Sequence, residues 1–233
     1  MIEPIGKLHP LTQITWGAVK IFNELGFTVA EGPEIETEFN NFDGLNIPPN
    51  HPARAMQDTF WLKPRSDGKL LRTHMTAVSF RELAKKRLPM RVVSPGRVFR
   101  NEATDATHEA QFYQFDALAV DRTGVITMAD LKGTLEHFYR GIFGADTEMR
   151  MRASFFSFVE PGVEVDIKWG DRWLEVCGAG MLHPNVFRAA GVDPEEWQGF
   201  AFGSTIDRLA MIKYGVEDIR QFYQGDRRFL EQF

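Results

Sequence analysis

Leu11, Ile14, Ala18, Ile21, Phe22 and Leu25 recur at the three- and four-residue spacing of one helix face, and Gly26 follows as a C-cap. Phe27-Thr28-Val29-Ala30 then reads as a strand that stops at Gly32-Pro33. The chain therefore opens with a long helix feeding a short strand. Thr76 to Arg87 is amphipathic, Met90 to Arg100 reads as a strand interrupted at Pro95-Gly96, and Gln111 to Val120 alternates tightly enough to be its antiparallel partner. Asn101 to Ala110 becomes the hairpin loop between them. Thr127, with Asp130 three residues on, caps a helix running to about Phe143, with Gly144 just past its end. Thr147 to Phe158, Val163 to Trp169 and Trp173 to Gly178 are further strands. Pro184 starts a short helix, and Phe200-Ala201-Phe202-Gly203 is a last strand running into a helix from about Ile206 to Tyr214. The order is too irregular for a βαβ repeat and predicts an α+β fold, a mostly antiparallel sheet flanked by helices.

Composition narrows the class. With 233 residues, 43% of them hydrophobic, and no convincing linker, the chain reads as one domain over 1–233. A single cysteine, Cys177, excludes a disulfide framework or a cysteine-based zinc site. The first residues lack the apolar core of a signal peptide, and no apolar run nears the ~18 residues of a membrane span. A cytoplasmic enzyme without a membrane partner is the expectation. Net charge is −5, and the basic run Lys85-Lys86-Arg87 reads as a solvated helix end, so any nucleic-acid contact is local.

Candidate chemistry centres on two arginines. Arg100-Asn101-Glu102 closes an apolar strand, and Gly203-Ser204-Thr205-Ile206-Asp207-Arg208 opens a helix. Guanidinium is the group best matched to forked binding of phosphate or carboxylate. The chain has no Gly-x-x-x-x-Gly-Lys-Ser/Thr loop, and Gly178-Ala179-Gly180 is followed by His183 where a dinucleotide fingerprint needs a third glycine. Arginines must therefore hold any polyphosphate. Neither a Gly-x-Ser-x-Gly elbow nor a His-Glu-x-x-His site is present.

That order of elements, with these residues in them, resembles the catalytic domain of class II aminoacyl-tRNA synthetases. The unit ending at Pro33, about residues 8–34, resembles motif 1. Gly96-Arg97-Val98-Phe99-Arg100-Asn101-Glu102 with Asp105-Ala106-Thr107-His108, within about 90–120, resembles motif 2, and about 199–214 resembles motif 3. Among these enzymes the chain is similar to the bacterial phenylalanyl-tRNA synthetase α subunit. His9-Pro10-Leu11-Thr12, Asn46-Ile47-Pro48-Pro49, His51-Pro52-Ala53-Arg54, Leu131-Lys132-Gly133-Thr134-Leu135 and Gly180-Met181-Leu182-His183-Pro184-Asn185-Val186 carry that likeness.

The resemblance implies ATP-dependent activation of phenylalanine to phenylalanyl-adenylate and transfer to tRNA(Phe), within an α2β2 heterotetramer. Its catalytic set is Arg100 on the α-phosphate, Arg208 over the adenine and against the γ-phosphate, His108 on the distal phosphates, and Glu102 near the substrate ammonium or adenine amino group. Phe112 takes the other adenine face. Mg2+ is implied with ATP, Glu175 being the leading ligand and Glu160 the second. For the amino acid, Trp61, His74, Thr76, Gln114 and Asp116 fall at contact positions, and Ala201 limits the depth of the pocket. Phe156 and Phe158 flank Ser157, so on a strand they share a side and make two aromatic walls; on their own they read equally as sheet core. An apolar pocket rejects an added hydroxyl only ~10²-fold, so editing is needed and falls to the β subunit.

Departures from the family pattern are definite. Thr205 replaces a motif 3 glycine, Asp116-Ala117 replaces Glu-Gly, Met75-Thr76 replaces Thr-Ser, and Ala153 and Ser157 replace prolines. Family α subunits carry a coiled-coil arm for tRNA before the His-Pro-Leu-Thr stretch, whereas Met1 here begins eight residues earlier, which reads as a truncated or short form. The alternative reading is a synthetase-like paralogue that binds or adenylates a small amino acid without charging tRNA, or a regulatory subunit.

Overall fold

A computed structural model describes residues 6–55 and 58–233. In chain order its elements are α1 (Pro10–Glu24), β1 (Thr28–Val29), β2 (Ile35–Thr37), α2 (Glu38–Asn41), β3 (Lys69–Leu71), α3 (Thr76–Ala84), β4 (Met90–Phe99) and β5 (Gln111–Arg122). There follow α4 (Met128–Phe143), β6 (Met149–Phe156), β7 (Val159–Trp169), β8 (Arg172–Leu182), α5 (Pro184–Ala189), β9 (Trp197–Thr205), α6 (Ile206–Tyr214) and α7 (Arg227–Leu230). Among the described residues no helix is long and apolar enough to cross a membrane.

Seven strands form one sheet in the order β1-β4-β5-β9-β8-β7-β6. Only β1 pairs parallel, with β4; every other neighbour is antiparallel, as the hairpin reading predicts. Alternation along β5 sends Phe115, Ala117 and Ala119 to one face, where α1, α4 and α6 pack. There Phe22 stacks on Phe138 at 4.7 Å and meets Phe115 edge-on at 5.2 Å. Leu118 and Val120 point to the other face, joining Phe80 and Leu83 of α3, Phe187 of α5 and Ala201 of β9. Phe112, Gln114 and Asp116 share the phase of Leu118, so β5 carries its candidate chemistry on the second face.

Local signals hold well for the helices. Gly26 follows α1 with φ +80°, a conformation glycine adopts without a Cβ penalty. Thr127 and Asp130 close a reciprocal capping box on α4.

Besides β9, which runs from Trp197 to Thr205 and not only from Phe200 to Gly203, three strand readings change. First, β4 is continuous through Pro95-Gly96, which pair with Phe115 and Gln114. Val93 offers its carbonyl to Ala30 on the β1 side, so Pro95, two residues on, turns its missing N–H to that same side, where β1 has already ended. Secondly, β6 stops at Phe156, and Ser157-Phe158 form the turn into β7. Thirdly, β7 begins at Val159 and β8 continues to Leu182, both longer than the sequence pattern implies. A bulge between Val159 and Gly162 absorbs Pro161. Glycines that read as a strand end lie inside β8: a Cβ on Gly178 would come 2.7 Å from the Phe156 ring, and one on Gly180 would come 2.5 Å from the Pro161 carbonyl oxygen. Close approach, not a chain break, is what they serve. The small β2–β3 sheet has no clear sequence signal; it positions Glu36, which is buried and gripped by the Arg81 guanidinium.

Candidate active site

β5, β6, β8 and β9, with the loop that follows β4 and the start of α6, wall a cavity of about 620 Å3. Arg100 leaves β4 at its mouth. Its N–H closes the hairpin on Ala110, its Nε donates to the Thr73 carbonyl at 3.3 Å, and its guanidinium carbon lies 5.1 Å from the Phe112 ring centre. Burial lowers its pKa and the Glu102 charge opposes that shift, but an arginine remains a cation. Among the described residues it has no ion-pair partner within 4.0 Å.

Arg208 enters from the opposite wall. The first turn of α6 is pinned to β5 through Asp207, which accepts from the Tyr113 N–H at 2.7 Å and from the Tyr223 hydroxyl. Burial pushes the Asp207 carboxyl up to about 6. One residue on, the Arg208 Nε donates to the Glu175 main-chain oxygen at 2.9 Å. The two arginines, 108 residues apart in sequence, line one space.

Glu102, His108, Phe112, Gln114, Phe156 and Glu175 line the same cavity. His108 is held by the Asp105 carboxylate at 3.0 Å from Nδ1. Asp105 also accepts the Thr107 and His108 N–H groups, and these bonds, that from Thr107 first, hold its carboxyl down at about 2. The loop's Ala106 carbonyl is tied to the Ile219 N–H at 2.9 Å. Gln114 accepts from the Met75 N–H at 3.4 Å. Glu175 reaches the cavity through a bulge at Val176: Asp166 pairs with Glu175 while Val165 pairs with Cys177, which rephases β8 so that Glu175 and Gly178 both line it.

The remaining candidates divide among other places. Phe158 and Ala201 line a separate slot of about 20 Å3, apolar except for the hydroxyls of Thr76 and Ser79. The Phe156 and Phe158 rings stack at 5.9 Å although only Phe156 is on a strand; the turn, not strand alternation, brings them together. Asp116 lines neither space. It lies 3% exposed beneath Gly203, accepting from Thr76 Oγ1 at 2.9 Å and from Ser79 Oγ, and burial pushes its carboxyl up to about 7. His74 lines a third recess with Arg100 and Glu102. Both its ring nitrogens are buried without a hydrogen-bond partner, and burial, helped by the Arg100 charge, pushes it down to about 4.

Two expected positions are not brought in. Trp61 packs 6.3 Å from the Phe42 ring, under the Arg65 guanidinium, and lines none of these spaces. Glu160 is exposed beside the Pro161 bulge, far enough along β7 to be absent from the cavity wall that Glu175 joins. Sequence reasoning missed Ser79, Thr107, Glu109 and Met211 as lining residues. For Glu109 and Thr107 the motif 2 loop was the available signal; for Ser79 it was its place one turn after Thr76 on α3.

The family described as tRNA synthetases class II core domain (F) matches residues 2–233. The phenylalanine–tRNA ligase α subunit of Nostoc punctiforme is 51% identical over 231 residues, covering 99% of this chain and 68% of the relative. That of Dehalococcoides mccartyi is 50% identical over 246 residues, covering 99% and 70%, and that of Xanthomonas euvesicatoria 50% over 233 residues, covering 98% and 69%. Pyrrolysyl-tRNA synthetase from Desulfitobacterium hafniense superposes with a TM-score of 0.72 at 21% identity, over 92% of this chain and 73% of that one, and so shares the fold. With the arginine-walled cavity on an antiparallel sheet and half of its residues shared along nearly its whole length, the chain belongs to the phenylalanine–tRNA ligase α-subunit family of class II synthetases.

Proposed function

We propose that the chain activates phenylalanine with ATP, forming phenylalanyl-adenylate, and passes the acyl group to tRNA(Phe) as the catalytic α subunit of a cytoplasmic complex with a β subunit. One observation carries this reading: Arg100 and Arg208 converge on a single large cavity that Phe112 and Phe156 also line.

Activation brings two anions together, because a carboxylate oxygen must attack the α-phosphorus while pyrophosphate leaves. Arg100, half-buried and without a counter-ion among the described residues, neutralises the charge that builds on the phosphoryl oxygens. Arg208 covers the adenine and meets the γ-phosphate, opposite Phe112, and His108 meets the distal phosphates. Glu102 takes the ammonium, with Gln114 beside the amino acid and Asp116 behind it. At about 20 Å3 the slot holds a water-sized guest, so a phenyl ring enters it only if Phe158 and the other side chains around Ala201 move back.

Mg2+ fits this cavity through Glu175. Among the described residues no three His, Cys, Asp or Glu side chains form a cluster, but Mg2+ takes one or two carboxylates and keeps its waters. Glu175 is exposed, lines the cavity and has no ion-pair partner among the described residues. When bound, the ion offsets phosphate charge.

The test is exchange of pyrophosphate into ATP with each of the twenty amino acids, run with the chain alone and with a β subunit. Exchange that depends on phenylalanine supports the reading. Exchange with none of them favours the paralogue or regulatory reading, for which the observation is Thr205 in the cavity wall.

A further inference from the structure

Thr205 lines the cavity at the position where motif 3 of the family usually has glycine. It ends β9 directly opposite Gln114 of β5, and both residues line the large cavity. Cross-strand neighbours of this kind bring their Cβ atoms to about 5 Å. The Thr205 φ is −80°, ordinary extended backbone, so the position makes no demand for glycine.

Its hydroxyl is unspent. Thr205 is the N-cap of α6, where a threonine commonly turns its oxygen back to a main-chain N–H, yet no such bond forms. Among the described residues the hydroxyl has no other protein partner. Gln114 gives its amide oxygen to the Met75 N–H, which leaves its NH2 group without a protein partner among the described residues. This rung lies between the two guanidinium groups. Phe112, under Arg100, is two residues from Gln114 on the same face of β5, and Arg208 is one helical turn beyond Thr205.

We propose that the Thr205 hydroxyl and the Gln114 amide together donate to one anionic oxygen at the junction between the amino acid and the α-phosphate. Thr205 is then a substrate-contacting residue and not an obstruction left by a lost glycine. The hydroxyl keeps its proton throughout: the carboxylate–phosphorus bond forms, the bond to pyrophosphate breaks, and the donated hydrogen bond shortens as charge grows on the shared oxygen. This role rests on the adenylate-forming reading of the cavity.

The experiment compares wild type, Thr205→Val, Thr205→Ser and Thr205→Gly, each with its β subunit, in phenylalanine-dependent pyrophosphate exchange. Valine keeps the shape and removes the donor; serine keeps the donor. Thr205→Val is expected to lower kcat ~10-fold and Thr205→Gly by as much, in line with the loss of one hydrogen bond to a charged group, whereas Thr205→Ser, which keeps the donor, should lose no more than about threefold. If bulk alone matters, Thr205→Val equals wild type and Thr205→Gly exceeds it, and either result overturns the role. An inactive wild type overturns the adenylation reading itself, whereas an active wild type matched by Thr205→Val overturns only the assignment of Thr205.

Discussion

Arg208 Nε donates to the main-chain oxygen of Glu175 at 2.9 Å, so one residue of β8 steadies a guanidinium with its carbonyl while its carboxylate stands in the same cavity. The two contributions are separable by mutation. Glu175→Gln leaves the carbonyl and the arginine in place and removes only the negative charge. We expect the Mg2+ concentration needed for half-maximal exchange to rise ~10-fold, with the KM for phenylalanine little changed. A magnesium dependence identical to wild type rejects Glu175 as the ligand.

Arg100→Ala removes a half-buried guanidinium that has no ion-pair partner among the described residues and lies over Phe112. Loss of a preorganised donor to developing charge costs other enzymes ~10²- to 10³-fold, and we expect at least ~10² here in the rate of exchange. Its contact to the Thr73 carbonyl is a single bond of 3.3 Å. The melting temperature should therefore move little, and a large drop in stability with an unchanged rate per folded molecule would mark Arg100 as structural.

These assignments were unequally legible in the sequence. The hairpin of β4 and β5 was readable because β5 alternates tightly enough to mark a partner strand, and α4 because its capping box is local. Convergence of Arg100 and Arg208 was not in any spacing; it comes from β5 pairing with both β4 and β9, a relationship that motif order implies and periodicity does not. The extension of β7 and β8 was hidden because Pro161, Gly178 and Gly180 punctuate a sequence locally, whereas here a bulge and the Phe156 ring make room for them. Asp116 could be placed on the correct face by alternation, but its engagement with Thr76 and Ser79 depends on where α3 docks. Trp61 lies in a stretch without periodicity, and nothing local fixed its distance from the cavity.

His74 predicts an acid limit to stability. Its native pKa of about 4 lies below the ordinary 6.5, so between those values the unfolded chain binds more protons. Stability from this group is complete above about pH 6.5 and is lost as pH falls towards 4, by at most about 3 kcal/mol. Denaturant titrations at pH 7.5 and 5 should show His74→Gln less sensitive to acid than wild type. Equal pH dependence of the two proteins would show that the imidazole is not the group responsible.

Ala201 provides the sharpest test of where the amino acid sits. It is 5% exposed and lines the slot with Phe158, Leu118 and Ser79, while the residues assigned to ATP line the larger cavity. Ala201→Val adds two methyl groups to a space of about 20 Å3. Overpacking of this size costs typically 1–3 kcal/mol where the surroundings yield little. A phenyl ring competing for the same space should bind at least ~10-fold more weakly, seen as a raised KM for phenylalanine. The KM for ATP should stay near the wild-type value, because Phe112, Arg100 and Arg208 are not among the slot's neighbours. That split is the informative readout, since a general loss of folding lowers the active fraction and leaves both KM values alone. If the phenylalanine KM does not move, the ring lies elsewhere, and the larger cavity between Phe156 and Gly178 becomes its place.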